Sequence, residues 1–145
     1  MEGLQLVRWA AGTVFVSGAL GAVAGAVWGL FRPSYVLVDG GEHPAVDLVA
    51  SPDNVEFASF AGFVLLTGVV GILVGCLPGV KSVWRLPFVV CVSLFGAWAF
   101  LVLGTATASE GVPLLQPGVG WVVAPLCAAL SYWIGMVARL ERNPI

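Results

Sequence analysis

Four apolar runs, each close to the ~20 residues an α-helix needs to cross ~30 Å of hydrocarbon, constrain this chain more than any other feature. They are Trp9–Phe31, Ala58–Leu77, Leu86–Ala106 and Trp121–Ala138, and none has Asp, Glu, Lys, Arg or His in its interior. Lipid offers no partner to a backbone N–H or C=O, so each run is predicted to be a helix that pairs its backbone within itself. The expected fold is therefore an all-α membrane protein. Residues 1–145 form one four-helix transmembrane domain with spans at about 9–31, 58–77, 86–106 and 121–138. Composition excludes the soluble alternative. The chain is 59% hydrophobic and 10% charged, against roughly 25% charged in soluble domains. A net charge of −2 without a basic cluster gives no footing for nucleic acid.

The first run has a rival reading as a signal peptide, since Arg8 precedes it and Ala22-Val23-Ala24 resembles a cleavage site. A signal core is only about 7–15 residues long. This run continues well past that, so it is read as a span.

Charge sets the orientation. Arg8, Lys81, Arg85, Arg139 and Arg142 fall on one side of a four-span chain; the other side has Arg32 beside an acidic loop and Glu110. The positive-inside rule then places both termini in the cytoplasm, and the expected location is the plasma (inner) membrane. Segments 32–57 and 107–120 become extracytoplasmic. Trp9, Trp84 and Trp121 sit where interfacial aromatics are expected.

The first outer segment holds most of the carboxylates (Asp39, Glu42, Asp47, Asp53, Glu56) and the one histidine, His43. Tyr35–Val38 reads as a short strand and Ala45–Val49 as a weaker one. Asp39-Gly40-Gly41 is a turn signal between them, so a small β-hairpin-like loop is expected here. Pro33 ends the first helix. Asp53 or Asn54 is expected to cap the second, with Glu56 favoured near its positive end. Pro78–Arg85 is short, which makes spans two and three an antiparallel pair. In the second outer loop, Leu114 and Leu115 are expected to dip towards lipid.

The clearest motif is a ladder of small residues in the first span: Thr13, Ser17, Gly21, Gly25 and Gly29, every fourth position and hence one helix face. Gly71, Gly75 and Gly79 repeat it in the second. Small residues let helix backbones approach closely in lipid. The ladders pack either within the chain or against a partner, a larger membrane protein or a second copy. The cysteines, Cys76, Cys91 and Cys127, fall inside apolar runs and read as small buried hydrophobes.

Chemistry is sparse. Asp39, Glu42, His43 and Asp47 offer oxygen ligands and one imidazole, but match no zinc spacing; a solvated acidic loop is expected, with no metal and no cofactor. Ser131 and Tyr132 are polar near mid-membrane and suit an interhelical hydrogen bond, yet without a base they make no catalytic pair. No enzyme activity and no catalytic residue are expected. Proton-coupled transport normally uses an ionisable group within the membrane, and the spans have none. Arg32 is expected to pair with Asp39 or Glu42, or else to hold a lipid phosphate.

The junction Arg32-Pro33-Ser34-Tyr35-Val36-Leu37-Val38-Asp39-Gly40-Gly41 resembles an uncharacterised family of actinobacterial four-span membrane proteins. The resemblance implies an actinobacterial envelope and no assigned activity. The function expected is a non-catalytic accessory or scaffold subunit of a larger plasma-membrane complex, in cell-envelope assembly or respiration. Its outer segment (Arg32, Tyr35, Asp39, Glu42, Asp47) would dock a partner, and its helices would contact membrane lipids. The alternative is a small lipid or solute translocator, flippase-like or channel-like.

Overall fold

The computed structural model describes residues 2–41, 44–79, 82 and 84–142, without the side chains of Glu2 and Arg142. Glu42, His43 and Lys81 lie outside the described residues. Four helices dominate: α1 (Glu2–Phe31), α2 (Val55–Cys76), α3 (Arg85–Ala106) and α4 (Val123–Arg142). A two-stranded hairpin, β1 (Val36–Val38) and β2 (Ala45–Asp47), joins α1 to α2, and a 3₁₀ turn (Gly118–Val122) leads into α4. All four helices are long and apolar enough to cross a membrane, which makes the chain a multi-pass membrane protein.

Boundaries follow local chemistry. α1 starts at Glu2, well before Trp9, because nothing in its polar first turns breaks a helix. It stops at Phe31, two residues before Pro33. Pro87 and Pro125 fall in the first turns of α3 and α4, where the missing N–H has no intrahelical partner to lose. The expected side-chain cap of α2 is not made. Asn54 instead takes a left-handed backbone (φ 60°) and offers its carbonyl to Ala58 N at 2.9 Å. Asn tolerates that conformation better than most residues.

The bundle is held by two parallel pairs of helices that are not neighbours in sequence. α1 packs on α3 at a constant separation of 75: Ser17 Oγ donates to Val92 O at 2.8 Å. A methyl on Gly21, Gly25 or Gly29 would overlap the carbonyl of Gly96, Phe100 or Gly104. α2 packs on α4 in the same way, with Gly71 against the Ala124 carbonyl and Gly75 against that of Ala128. Around the bundle the order is α1, α3, α4, α2, and α2 meets α3 across the middle. The sequential pair α2–α3 is thus a connection more than the main seam.

Two apolar clusters fill the interior. One is Trp28, Phe63, Phe100 and Leu115; the other is Val70, Val74, Val89, Val92 and Ala128. In the first, Trp28 and Phe100 rings lie 5.2 Å apart, and Phe63 meets Phe100 edge-on at 5.7 Å. Such pairs are worth about 0.5–1.5 kcal/mol beyond burial. Two other buried hydroxyls bond within their own helices, Thr67 to Phe63 O at 2.7 Å and Ser93 to Val90 O at 2.8 Å.

Three expectations are corrected here. Cys76 and Cys91 are exposed on outward helix faces and Cys127 is half-buried. Glycine, serine and alanine occupy the close helix contacts, and a thiol is apolar enough to face lipid. Ser131 makes no interhelical bond; its hydroxyl donates to Ala128 O at 3.1 Å in its own helix. Leu114 is exposed, but Leu115 turns into the core.

Candidate functional site

The hairpin and the loop 107–117 share one end of the bundle. Helix geometry brings them together: α1 ends at Phe31, α2 begins at Val55, and α3 ends at Ala106. Backbone and side chain then lock them. Tyr35 N donates to Gly111 O at 2.9 Å, and Thr107 Oγ1 donates to Ala26 O at 3.0 Å. In the hairpin, Val36 pairs with Asp47, Leu37 with Val46 and Val38 with Ala45. Gly41 takes a positive φ of 92°, whereas Gly40 does not.

Arg32 is the centre of this end. It is buried to 5% exposure. One guanidinium nitrogen donates to the Pro113 carbonyl, and the guanidinium carbon lies 4.8 Å from the centre of the Trp28 ring. Among the described residues it forms no ion pair, so the expected pairing with Asp39 is not seen; Asp39 is exposed. Burial lowers the Arg32 pKa from its ordinary value, although an arginine stays protonated in proteins. Its Nε has no hydrogen-bond partner.

A cavity of about 530 Å³ opens beside it, lined by Arg32, Glu56, Phe60, Leu115 and Gln116 with Ser59 at its inner wall. Ser59 is fully buried, and its hydroxyl also has no partner. The first turn of α2, which forms one wall, has no side-chain cap. Glu56 stands at the rim and receives a long hydrogen bond, 3.4 Å, from the Tyr35 hydroxyl. Desolvation, and then the Glu56 charge, raise the Tyr35 pKa above its ordinary value. The cavity thus places a cation, an unpaired hydroxyl, a carboxylate and apolar walls within one small volume.

The other end has a second buried arginine. Arg85 donates to the Leu77 carbonyl and lies between two rings, Tyr132 at 5.0 Å and Trp9 at 5.9 Å. Trp9 Nε1 in turn donates to Pro78 O at 2.9 Å. Tyr132, expected to hydrogen-bond between helices, serves as one of the rings.

The expected site residues divide into groups. Ser17, Gly21, Gly25 and Gly29 all face α3, and Gly71 and Gly75 face α4, so both ladders are used inside the chain. Of the outer-segment residues, Arg32 lines the cavity and Tyr35 leans on its rim through Glu56. Asp47 is occupied: its Oδ1 accepts from Val49 N at 2.9 Å and Ala50 N at 3.1 Å, forming the turn after β2. Glu42, with His43, lies outside the described residues. Among the described residues, no group of three His, Cys, Asp or Glu side chains could hold a metal. Sequence reading missed Ser59, Gln116 and the aromatic seat of Arg85. Ser59 had a faint signal, as a polar residue one turn inside an apolar span after Glu56.

No family model, curated protein or solved structure matches the chain, so the resemblance at the Arg32–Gly41 junction rests on those residues alone.

Proposed function

We propose that this chain is a non-catalytic accessory or scaffold subunit of a larger plasma-membrane complex in cell-envelope assembly or respiration. Both termini lie in the cytoplasm and the hairpin end outside, on the strength of the positive charges at the terminal end. The observation that carries the reading is the hairpin surface. Val36, Leu37, Val38 and Val46 are exposed, and Leu48 and Val49 stand out at 77% and 97%. They lie on the segment between the end of α1 and the start of α2. Exposed apolar side chains on both faces of a hairpin, with Asp39 beside them, suit a protein partner. Two short strands also leave ladder edges open to a further strand. Asp39, exposed beside them, favours a partner with basic groups, since complementary charge sets register and encounter rate. With both glycine ladders turned inward, the hairpin is the natural docking element, while the outward helix faces meet lipid.

The test is co-purification of a tagged full chain in a gentle detergent across a salt series. Wild type should bring down a larger membrane protein in fixed proportion. Leu48→Ser with Val49→Ser should cut recovery about tenfold. Asp39→Asn with Asp47→Asn should lower recovery and flatten its salt dependence, because the negative charges are gone while asparagine at 47 keeps the oxygen that holds the turn. Equal recovery by all three chains overturns the reading. A homo-oligomer that carries lipid or solute across vesicles replaces it with the translocator alternative.

A further inference from the structure

We propose that the cavity at the hairpin end binds the headgroup of a zwitterionic phospholipid, its phosphate on Arg32 and Ser59 and its ammonium on Glu56. Among the described residues, Arg32 is buried with its charge matched by one carbonyl and one aromatic face, and its Nε is unpartnered. A buried cation without an anion is costly, and a guanidinium is shaped to hold phosphate oxygens in pairs. Ser59 adds a second donor, fully buried, unpaired and on the same wall. The α2 wall is the helix's uncapped first turn, whose dipole favours an anion nearby. Two unpartnered donors, Arg32 and Ser59, therefore line one volume at the start of a helix.

Glu56 decides the class of anion. A headgroup with net negative charge would meet its carboxylate at the rim; a headgroup that carries its own ammonium would be drawn to it. The cavity, about 530 Å³, falls in the ~300–1,000 Å³ range of small-molecule sites. Its place points to a lipid rather than a free ion. It lies where α1 ends and α2 begins, at the depth of headgroups if these helices span. Its apolar lining, Phe57, Phe60, Leu114 and Leu115, gives acyl chains a way out along the helices, with Phe57 and Leu114 exposed at the mouth.

The experiment is native mass spectrometry of the delipidated full chain. It is titrated in separate arms with phosphatidylethanolamine, phosphatidylglycerol, diacylglycerol and inorganic phosphate. Phosphatidylethanolamine should be retained best and diacylglycerol least. Arg32→Gln should weaken phosphatidylethanolamine retention about tenfold or more, and Ser59→Ala about threefold. Glu56→Gln should shift preference towards phosphatidylglycerol; this variant removes only a rim charge, so the test survives if Arg32→Gln fails to fold. Diacylglycerol retained as well as phosphatidylethanolamine overturns the proposal, as does unchanged retention in Ser59→Ala and Glu56→Gln. Inorganic phosphate that binds as tightly as the lipid overturns the lipid assignment. None of these outcomes depends on a protein partner, so they separate this proposal from the subunit reading.

Discussion

The two ends of the bundle solve one problem in different ways. Each buries an arginine at a helix terminus, Arg32 after α1 and Arg85 at the start of α3. Each arginine donates to a loop carbonyl, Pro113 or Leu77, and each leaves its Nε unpartnered. The surroundings differ. Arg85 lies between Trp9 and Tyr132, and Trp9 is itself fastened to Pro78. Arg32 has one ring, Trp28, and on its open side a cavity with an unpaired hydroxyl. Rings on two sides compensate a guanidinium through their π faces and make the cation a clamp. One ring and a hollow leave the charge partly uncompensated, and that incompleteness is what a ligand can use.

The comparison fails altogether if α1 and α3 lose their close contact, because α1 carries Trp9 and Trp28 and leads straight into Arg32, while α3 begins with Arg85. Gly25→Leu should do this. Its side chain would overlap the Phe100 backbone, and the expected loss is about 3 kcal/mol or more. Thermal unfolding in detergent should show both ends failing together. Val27→Leu, on the exposed face of the same helix, should stay within about 0.5 kcal/mol of wild type. A Gly25→Leu chain as stable as wild type would mean that the α1–α3 seam is not tight.

A smaller effect sharpens the contrast between clamp and site. Arg85→Gln should cost about 2–3 kcal/mol, since it removes two ring contacts and a charged hydrogen bond. Arg32→Gln in delipidated protein should cost only about 1 kcal/mol, since the loss of one ring contact and of the bond to Pro113 O is offset by relief of an uncompensated charge. The same unfolding assay decides the order. Equal losses would make both arginines clamps.

The smallest effect probes the fastening of the clamp. Trp9→Phe keeps a ring near Arg85 but removes the donor to Pro78 O, and about 1 kcal/mol should be lost. Hydrogen exchange should quicken at the α2–α3 connection and stay unchanged in the hairpin. Faster exchange at both ends would show that the ends are coupled through α1.

Much of the fold was legible in the sequence. The spans followed from length and hydropathy, and the hairpin from a β-prone run beside Gly40-Gly41. Ladder spacing marked Ser17, Gly21, Gly25 and Gly29 as one face. The site was less legible. Arg32 stood out as a lone cation before a proline, and lipid phosphate was one of its two expected partners. Ser59 and Gln116 did not stand out, because nothing near them in sequence marks a cavity. The acidic residues drew attention by their charge, yet Asp47 holds its own turn through Val49 and Ala50. A carboxylate two residues from free amides looks the same in sequence whether it faces a partner or its own backbone.

The sequence by itself determined that this chain makes four long apolar helices, because a backbone without water must pair within each segment. It also determined where proline stops α1. Only the tertiary structure decided that the ladders meet α3 and α4, and that Arg32 finds a carbonyl 81 residues away in Pro113. Spacing along a helix fixes which residues share a face. Which helix that face meets depends on how all four pack together, and no local pattern encodes it.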